Sequence, residues 1–350
     1  MTHYIDRFPG RKIRVGKKNY LYFGGTSYLG LQTDARFQKL LINNIIKYGT
    51  NYGASRISNV RWSIYEKSEN YLAHLVGSES CISLSSGYLA GQFVRQYFNN
   101  TSHKTFYTAN SHAALQLPND KVESSHETLK MAIEEHLHKT NAITPVVFLD
   151  SIDFSGRHYP HFNDLKTLPL DKIIVVVDDS HGIGIVGKNG RGVYKSLLEL
   201  GAKELVVCSS LGKGFGLQVG AVFGTTEMIS SMRETDFYGG ASPATPAHMA
   251  TLLESGVLME EKRMKLQKRI KQFKKRLPSH HGFSMMDGHP AFSFSDKVLT
   301  DYLEKQNIIV TNFSYPSEDS STMSRIVISS AHKKNDIKKL TGLIKRYYSQ

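Results

Sequence analysis

Between Arg36 and Met232 the chain alternates short apolar runs with stretches of helical periodicity. The runs are "SCISLSSG", "KTFYTANS", "TPVVFLDSID", "KIIVVVDDS", "ELVVCSSLG" and "VGAVFGTT". Continuous apolar runs of this length read as strands buried on both faces, and their alternation with helices predicts a mainly parallel sheet covered by helices. Ahead of it, residues 1–40 form an irregular lead-in with one strand signal, "NYLYFGG", and a turn-rich "TSYLGL". Helical periodicity begins in "RFQKLLINNIIKYG". Behind the sheet, a long helix is predicted from Pro246 to Leu277. An α+β tail follows ("HGFSMM", "FSFSD", "KQNIIVTNFS", "SRIVISS"), closed by an amphipathic helix from Lys334 to Tyr348. The expected organisation is an N-terminal segment (1–40), a large domain (41–238) and a small C-terminal domain (239–350), with no internal repeat.

Composition adds limits. With 350 residues, 40% apolar and 21% charged, the chain buries a large core, and disorder is not expected. Cys81 and Cys208 both lie inside apolar runs, the pattern of buried thiols in a reducing compartment. The opening "MTHYIDRFPGRK" lacks the apolar core of a signal peptide and no run is long enough to span a bilayer, so the expected location is cytoplasmic. A net charge of +13 attracts anions such as phosphorylated cofactors, coenzyme A or acidic carriers. Its densest stretch, "KRMKLQKRIKQFKKR" (Lys262 to Arg276), places Met264, Leu266, Ile270, Phe273 and the following Leu277 at helical spacing. Most lysines then fall on the wet face, and without interleaved aromatics no nucleic-acid partner is expected.

Candidate chemistry collects where strands end. "SSGY" (Ser85 to Tyr88) opens a helix-like stretch, and such a turn offers N–H groups and a hydroxyl to a phosphate, although many such turns are only turns. "NSHAA" puts His112 at a strand end, as a cap or as a ring able to stack on a planar group. "VVVDDSHGIG" delivers Asp178, Asp179 and His181 directly after buried valines, so Asp178 stays ionised only beside a cation or several donors. A metal would need more ligands than this. "SSLGKGFG" sets Lys213 among glycines, open to a ligand. The phosphate-loop pattern fails there, since it needs a glycine at Val207 and a hydroxyl at Gly214. A lysine able to form a Schiff base, an aspartate able to pair a ring nitrogen and phosphate donors nearby are the set used by pyridoxal 5′-phosphate.

At this point the chain resembles a family, the α-oxoamine synthases, fold-type I pyridoxal phosphate enzymes that include 8-amino-7-oxononanoate synthase and serine palmitoyltransferase. The resemblance follows in order "YLGL", "YGASR" with a Glu-containing helix, "SSGYLAG", "NSHAA", "VDDSHGIGIVGKNGRG", "SSLGKGFG" and "SRIVISSAH". It implies a seven-stranded-type, mainly parallel sheet flanked by helices, with a smaller α+β C-terminal domain. It further implies that Lys213 carries the cofactor and moves the α-proton, that Asp178 pairs with the pyridine nitrogen and that His181 bonds the ring oxygen. His112 would stack on the ring, and Ser210, Gly87 and Tyr88 would hold the phosphate. Arg325 would bind the amino-acid carboxylate, and Thr26 takes a substrate-side position where an asparagine is common. The implied reaction condenses an amino acid with an acyl thioester, on coenzyme A or a carrier protein, with loss of carbon dioxide. A homodimer sharing its sites is implied as well.

The chain also departs from that pattern. Tyr65 stands where many members carry histidine, Leu149 where serine is usual, and Gly239 to Ala241 where serine or threonine reaches a neighbouring subunit's phosphate. An aminotransferase or amino-acid lyase on the same fold, or a basic binding protein without catalysis, therefore stay open from sequence.

Overall fold

The structure is a computed structural model that describes residues 2–109, 111–140, 142–277, 282–314 and 322–349. In chain order, β1 (Lys12–Val15) and β2 (Lys18–Phe23) precede α1 (Ala35–Tyr48) and α2 (Ser63–Val76). Next come β3 (Ser80–Leu84), α3 (Gly87–Tyr97), β4 (His103–Tyr107), α4 (His126–Lys139), β5 (Thr144–Asp150) and β6 (Ile174–Asp178). They are followed by α5 (Tyr194–Leu198), β7 (Glu204–Ser210), α6 (Leu211–Gly214), β8 (Gly220–Gly224), α7 (Thr226–Arg233) and α8 (Asp236–Gly240). The remainder is α9 (Pro246–Glu254), α10 (Gly256–Arg276), β9 (Phe283–Met285), β10 (Ala291–Phe294), α11 (Lys297–Lys305), β11 (Ile308–Ser314), β12 (Thr322–Val327) and α12 (Lys334–Tyr348).

Two compact units divide the chain: a large one of residues 39–153 and 157–256, and a small one of 1–38, 154–156 and 257–350. In the large unit the described strands form one sheet in the order β3-β8-β7-β6-β5-β4. β4 to β7 run parallel in sequence, and β8 lies antiparallel to both β7 and β3. All five residues of β6 are buried, which is why the valine run has no polar alternate. Val146, Phe148, Ile174, Val176, Val206 and Val222 pack with Phe93, Phe98 and Tyr107 into one core. Each such side chain contributes about 1.5–3 kcal/mol on burial. Beyond β4, at the sheet edge, the Glu123 N–H bonds the Tyr107 carbonyl at 3.2 Å without a further regular strand among the described residues.

The small unit is built on a second sheet, β1-β2-β11-β12-β10-β9. Here the N-terminal residues are not a separate segment. β2 pairs in parallel with β11, Leu21 opposite Ile308, and Arg11 grips Asp336 through both carboxylate oxygens at 2.8 and 2.9 Å. The boundary expected at residue 239 also moves, because residues up to 256 belong to the large unit. There Ser68 and Asn44 bond Met249 and Thr251 of α9, and the Tyr65 hydroxyl bonds the Ala244 carbonyl at 2.7 Å. The helix predicted over 246–277 breaks in two at Ser255. Its hydroxyl bonds back to the Thr251 carbonyl at 2.6 Å and its backbone leaves helical geometry at ψ 4°. In α10, Leu258, Met259, Leu266, Ile270 and Phe273 face inward, whereas Met264, expected on that face, is 60% exposed.

Charge divides unevenly between the units. The small one holds 25 lysines and arginines against 11 aspartates and glutamates, a net of +14, and the large one 19 against 20, a net of −1. The chain's attraction for anions therefore originates in the small unit. No helix of the described residues is long and apolar enough to cross a membrane, and both cysteines are buried free thiols.

Candidate active site

In a parallel sheet all carboxyl ends point the same way, so residues that terminate neighbouring strands meet whatever their distance in sequence. Asp150, Asp178 and Cys208 stand side by side in register near the ends of β5, β6 and β7. Lys213 follows β7 on the single turn α6, and its Nζ lies 3.1 Å from Nε2 of His181, on the loop after β6. Asp178 is 8% exposed, and its Oδ1 accepts the Ser180 N–H at 2.7 Å. Ser180 Oγ in turn accepts the Ser210 N–H at 2.8 Å, tying the β6 loop to the start of the lysine turn.

His112 takes the capping part open to it. It begins a short helical turn, where its Nδ1 accepts the Ala114 N–H at 3.0 Å, so the proton of the neutral ring sits on Nε2. Burial lowers its pKa, helped by Lys213 and opposed by Asp178, which keeps the ring neutral near pH 7.

The turn "SSGY" caps α3. Ser86 Oγ accepts the Leu89 N–H at 3.1 Å, leaving the first N–H groups of the helix, on Gly87 and Tyr88, directed off its end. A side chain at Gly87 would come within 2.3 Å of Ser210 Cβ, so only glycine lets the helix end and Ser210 meet. Backbone donors, the Ser210 hydroxyl and a positive helix end make a cradle for a phosphate. A further hydroxyl close by, Ser209 Oγ, is buried with no hydrogen-bond partner among the described residues. A pyridoxal phosphate fits this donor set: an amine for its aldehyde, a carboxylate for its ring nitrogen and an anion cradle at a helix end. Tyr88 projects its own side chain outward, 58% exposed, so its backbone N–H is what it can offer.

Two sequence-assigned residues lie in the small unit. Arg325, on β12, lays its guanidinium 3.5 Å over the Phe154 ring, and burial lowers its pKa against the effect of Tyr28. It has no carboxylate within ion-pair distance among the described residues. Thr26 is exposed, and its carbonyl accepts the Tyr28 N–H at 2.8 Å.

Three acids escaped the reading of the sequence. Asp150, which ends β5, accepts the His112 N–H at 2.9 Å. Glu69 on α2 receives Arg56 of "YGASR" at 2.8 Å and the Ser83 N–H at 2.9 Å, while Arg56 stacks 3.9 Å over Tyr65, the residue marked as a departure. An acid at a core-facing helix position was the available signal. Asp179 had no role beyond the turn. It is 2% exposed and accepts from Ser151 Oγ at 2.6 Å and the Val193 N–H at 3.0 Å, so it anchors the glycine loop that follows β6. Gly192, at φ +75°, is required there, since a side chain would fall 2.0 Å from the Asp179 oxygen.

Burial raises the Asp179 pKa to about 7. The unfolded carboxyl loses its proton near pH 4 and the folded one near 7, so stability falls as pH rises across that window. The span corresponds to on the order of 4 kcal/mol. Asparagine can accept from Val193 and donate to Ser151. The Tm advantage of Asp179→Asn over the wild type is therefore expected to grow from pH 5 to pH 8 in thermal scans, and a pH-independent difference would count against the assignment.

A model of the aminotransferase class I and II family matches residues 155–344, a span that contains Asp178, His181, Ser210, Lys213 and Arg325. An 8-amino-7-oxononanoate synthase of Alcanivorax borkumensis is 25% identical over 99% of this chain and 94% of its own length. One of Thermosipho melanesiensis is 24% identical over 95% and 89%. A solved serine palmitoyltransferase from S. paucimobilis, with a bound PLP–myriocin aldimine, superposes with a TM-score of 0.79 at 20% identity, covering 95% of this chain and 88% of that one. This last likeness is one of fold, and it bears out the fold-type I architecture.

Proposed function

The chain belongs to the aminotransferase class I and II family, and from that premise we propose that it is an α-oxoamine synthase, a pyridoxal phosphate-dependent acyltransferase. It condenses an amino acid with an acyl thioester, releasing carbon dioxide and leaving an α-amino ketone. The observation that carries the reading is the meeting of Lys213, His181, Asp178 and His112 at adjoining strand ends, beside the Ser210 and Gly87 cradle. The full-length similarity to 8-amino-7-oxononanoate synthases supports the choice of acyl transfer.

When bound, the cofactor supplies an electron sink for the bond broken at the substrate α-carbon. The protein's own groups do the rest. Lys213 Nζ would hold the cofactor through its aldehyde, and its amine, when free, is the group placed to take and return the substrate α-proton. Asp178 would keep the cofactor's ring nitrogen protonated, because its carboxylate is partly desolvated and best satisfied by a cation. His181 would donate to the cofactor's ring oxygen, and the neutral His112 ring would stack on it. Ser210 Oγ with the Gly87 and Tyr88 N–H groups binds the phosphate. Arg325, lacking an acidic partner among the described residues, takes the amino-acid carboxylate through its two-pronged guanidinium, with Thr26 on the substrate side. The reading places the enzyme in the cytoplasm, which the two buried free thiols support. It also makes the enzyme a homodimer. Exposed Ile42, Ile46, Ile57 and Val60 of the large unit support that part.

The test is thiol release from acyl-coenzyme A or acyl carrier protein on mixing with alanine, glycine or serine. Release that depends on both substrates and on the cofactor is expected. Amino transfer to a keto acid, with no thiol from any pair, would replace this reading by an aminotransferase.

A further inference from the structure

We propose that Asp150 is a positioning residue of this site, holding the turn that carries His112 and standing as a neutral carboxyl beside Asp178, so that the two strand ends present a single negative charge. The inference rests on the assignment of Asp178 and Lys213 to the cofactor, and not on acyl transfer.

Asp150 ends β5 in direct register with Asp178, which ends β6, and neighbouring residues of a parallel pair send their side chains to the same face. Its Oδ1 accepts the backbone N–H of His112 at 2.9 Å, across 38 residues of sequence. That bond fixes the start of the turn whose next internal bond runs from the Ala114 N–H to the His112 ring. The Asp150 backbone is itself held, its carbonyl taken by His158 Nδ1 at 2.6 Å. The aspartate thus joins β5 to the one histidine of the site that comes from the β4 side of the sheet.

Two carboxyl groups side by side at low exposure do not both ionise at neutral pH. Burial first, then the charge of Asp178, raises the Asp150 pKa well above the ordinary carboxyl range. The charged groups facing it are Asp178, Lys213 and Asp153, with the His112 N–H as donor. Each of the pair accepts one backbone N–H, from His112 and from Ser180, and Asp178 ends the strand that borders β7 and its lysine turn, so the proposal places the charge there. A second negative charge at Asp150 would also stabilise the protonated Lys213 amine, whereas the neutral form leaves it readier to act as a nucleophile.

The experiment titrates pyridoxal phosphate into apoenzyme, following the visible absorption of the bound cofactor from pH 6 to 10, for wild type, Asp150→Asn and Asp150→Ala. Asparagine keeps an acceptor for the His112 N–H and mimics the neutral carboxyl; alanine keeps neither. Asp150→Ala is expected to weaken cofactor affinity at least about tenfold, as displaced site groups do, and Asp150→Asn to restore it to within about threefold. The pH midpoint of the absorption should be the same in Asp150→Asn as in wild type. An asparagine variant whose midpoint falls by about one pH unit or more would show that Asp150 is ionised. An alanine variant that binds as wild type would overturn the positioning role, and so would an asparagine variant as weak as the alanine one. Should alanine unfold the protein in a thermal scan, the asparagine midpoint and affinity alone decide. Wild-type thiol release, measured separately, reports on acyl transfer independently of these outcomes.

Discussion

With Lys213 replaced by alanine, the protein mixed with pyridoxal phosphate is expected to lose the visible absorption of the lysine-linked cofactor, and its turnover is expected to fall by at least about 10³-fold. Lys213 stands on a single helical turn between two glycines, with Nε2 of His181 3.1 Å from its amine. Among the described residues no other lysine directly follows a strand of that sheet, so no neighbour can substitute. The side chain is only half-buried and not part of the hydrophobic core, so the far-ultraviolet circular dichroism and unfolding midpoint should stay close to wild type. Retention of the visible band in a folded Lys213→Ala protein would remove the lysine assignment and the proton-transfer role built on it.

The second large effect is expected from Asp178→Asn. Asparagine preserves the acceptor for the Ser180 N–H, so the link from the β6 loop through Ser180 to Ser210 survives and the protein folds. On the proposed pairing, what disappears is the charge that would face the ring nitrogen. Without it the pyridine is not held protonated and the electron sink fails, at an expected cost of about 10³-fold in turnover, or about 4 kcal/mol. Cofactor affinity should change much less, because the phosphate cradle and Lys213 are untouched. Steady-state kinetics with a direct measurement of cofactor binding separates the two effects. Full turnover by the asparagine variant would contradict the pairing, and equal losses in binding and turnover would assign Asp178 to binding alone.

The strands of the large unit were legible because a parallel sheet buries both faces. "IIVVVD" admits little besides a central strand, and the polar residue that ends such a run marks where ligands gather. Helix α12 was legible over its whole length for a similar reason, its apolar stripe of Ile337, Leu340, Leu343 and Ile344 recurring every three or four residues. Lys213, Asp178, His181 and His112 could be nominated from motif and spacing, since each requirement is local: an amine among glycines, an acid after valines, a histidine beside a turn.

What depends on distant partners could not be read in that way. The joining of the N-terminal strands to the small unit rests on β2 beside β11, nearly 290 residues away, and no local pattern encodes that pairing. The break at Ser255 depends on a buried hydroxyl choosing the Thr251 carbonyl. Asp150 was unmarked and Asp179 had no assigned role because adjacent residues carry no record of register. Only the alignment of β5 with β6 sets one carboxyl beside another, and only the folded loop brings Ser151 and Val193 to Asp179. By itself, then, the sequence determined the strands, the helices and the kinds of chemistry placed at their ends, because local periodicity and residue type suffice for these. Tertiary structure alone decided which of those groups stand side by side, which bear loops and which face one another, because such relations are set by distances across the sheet.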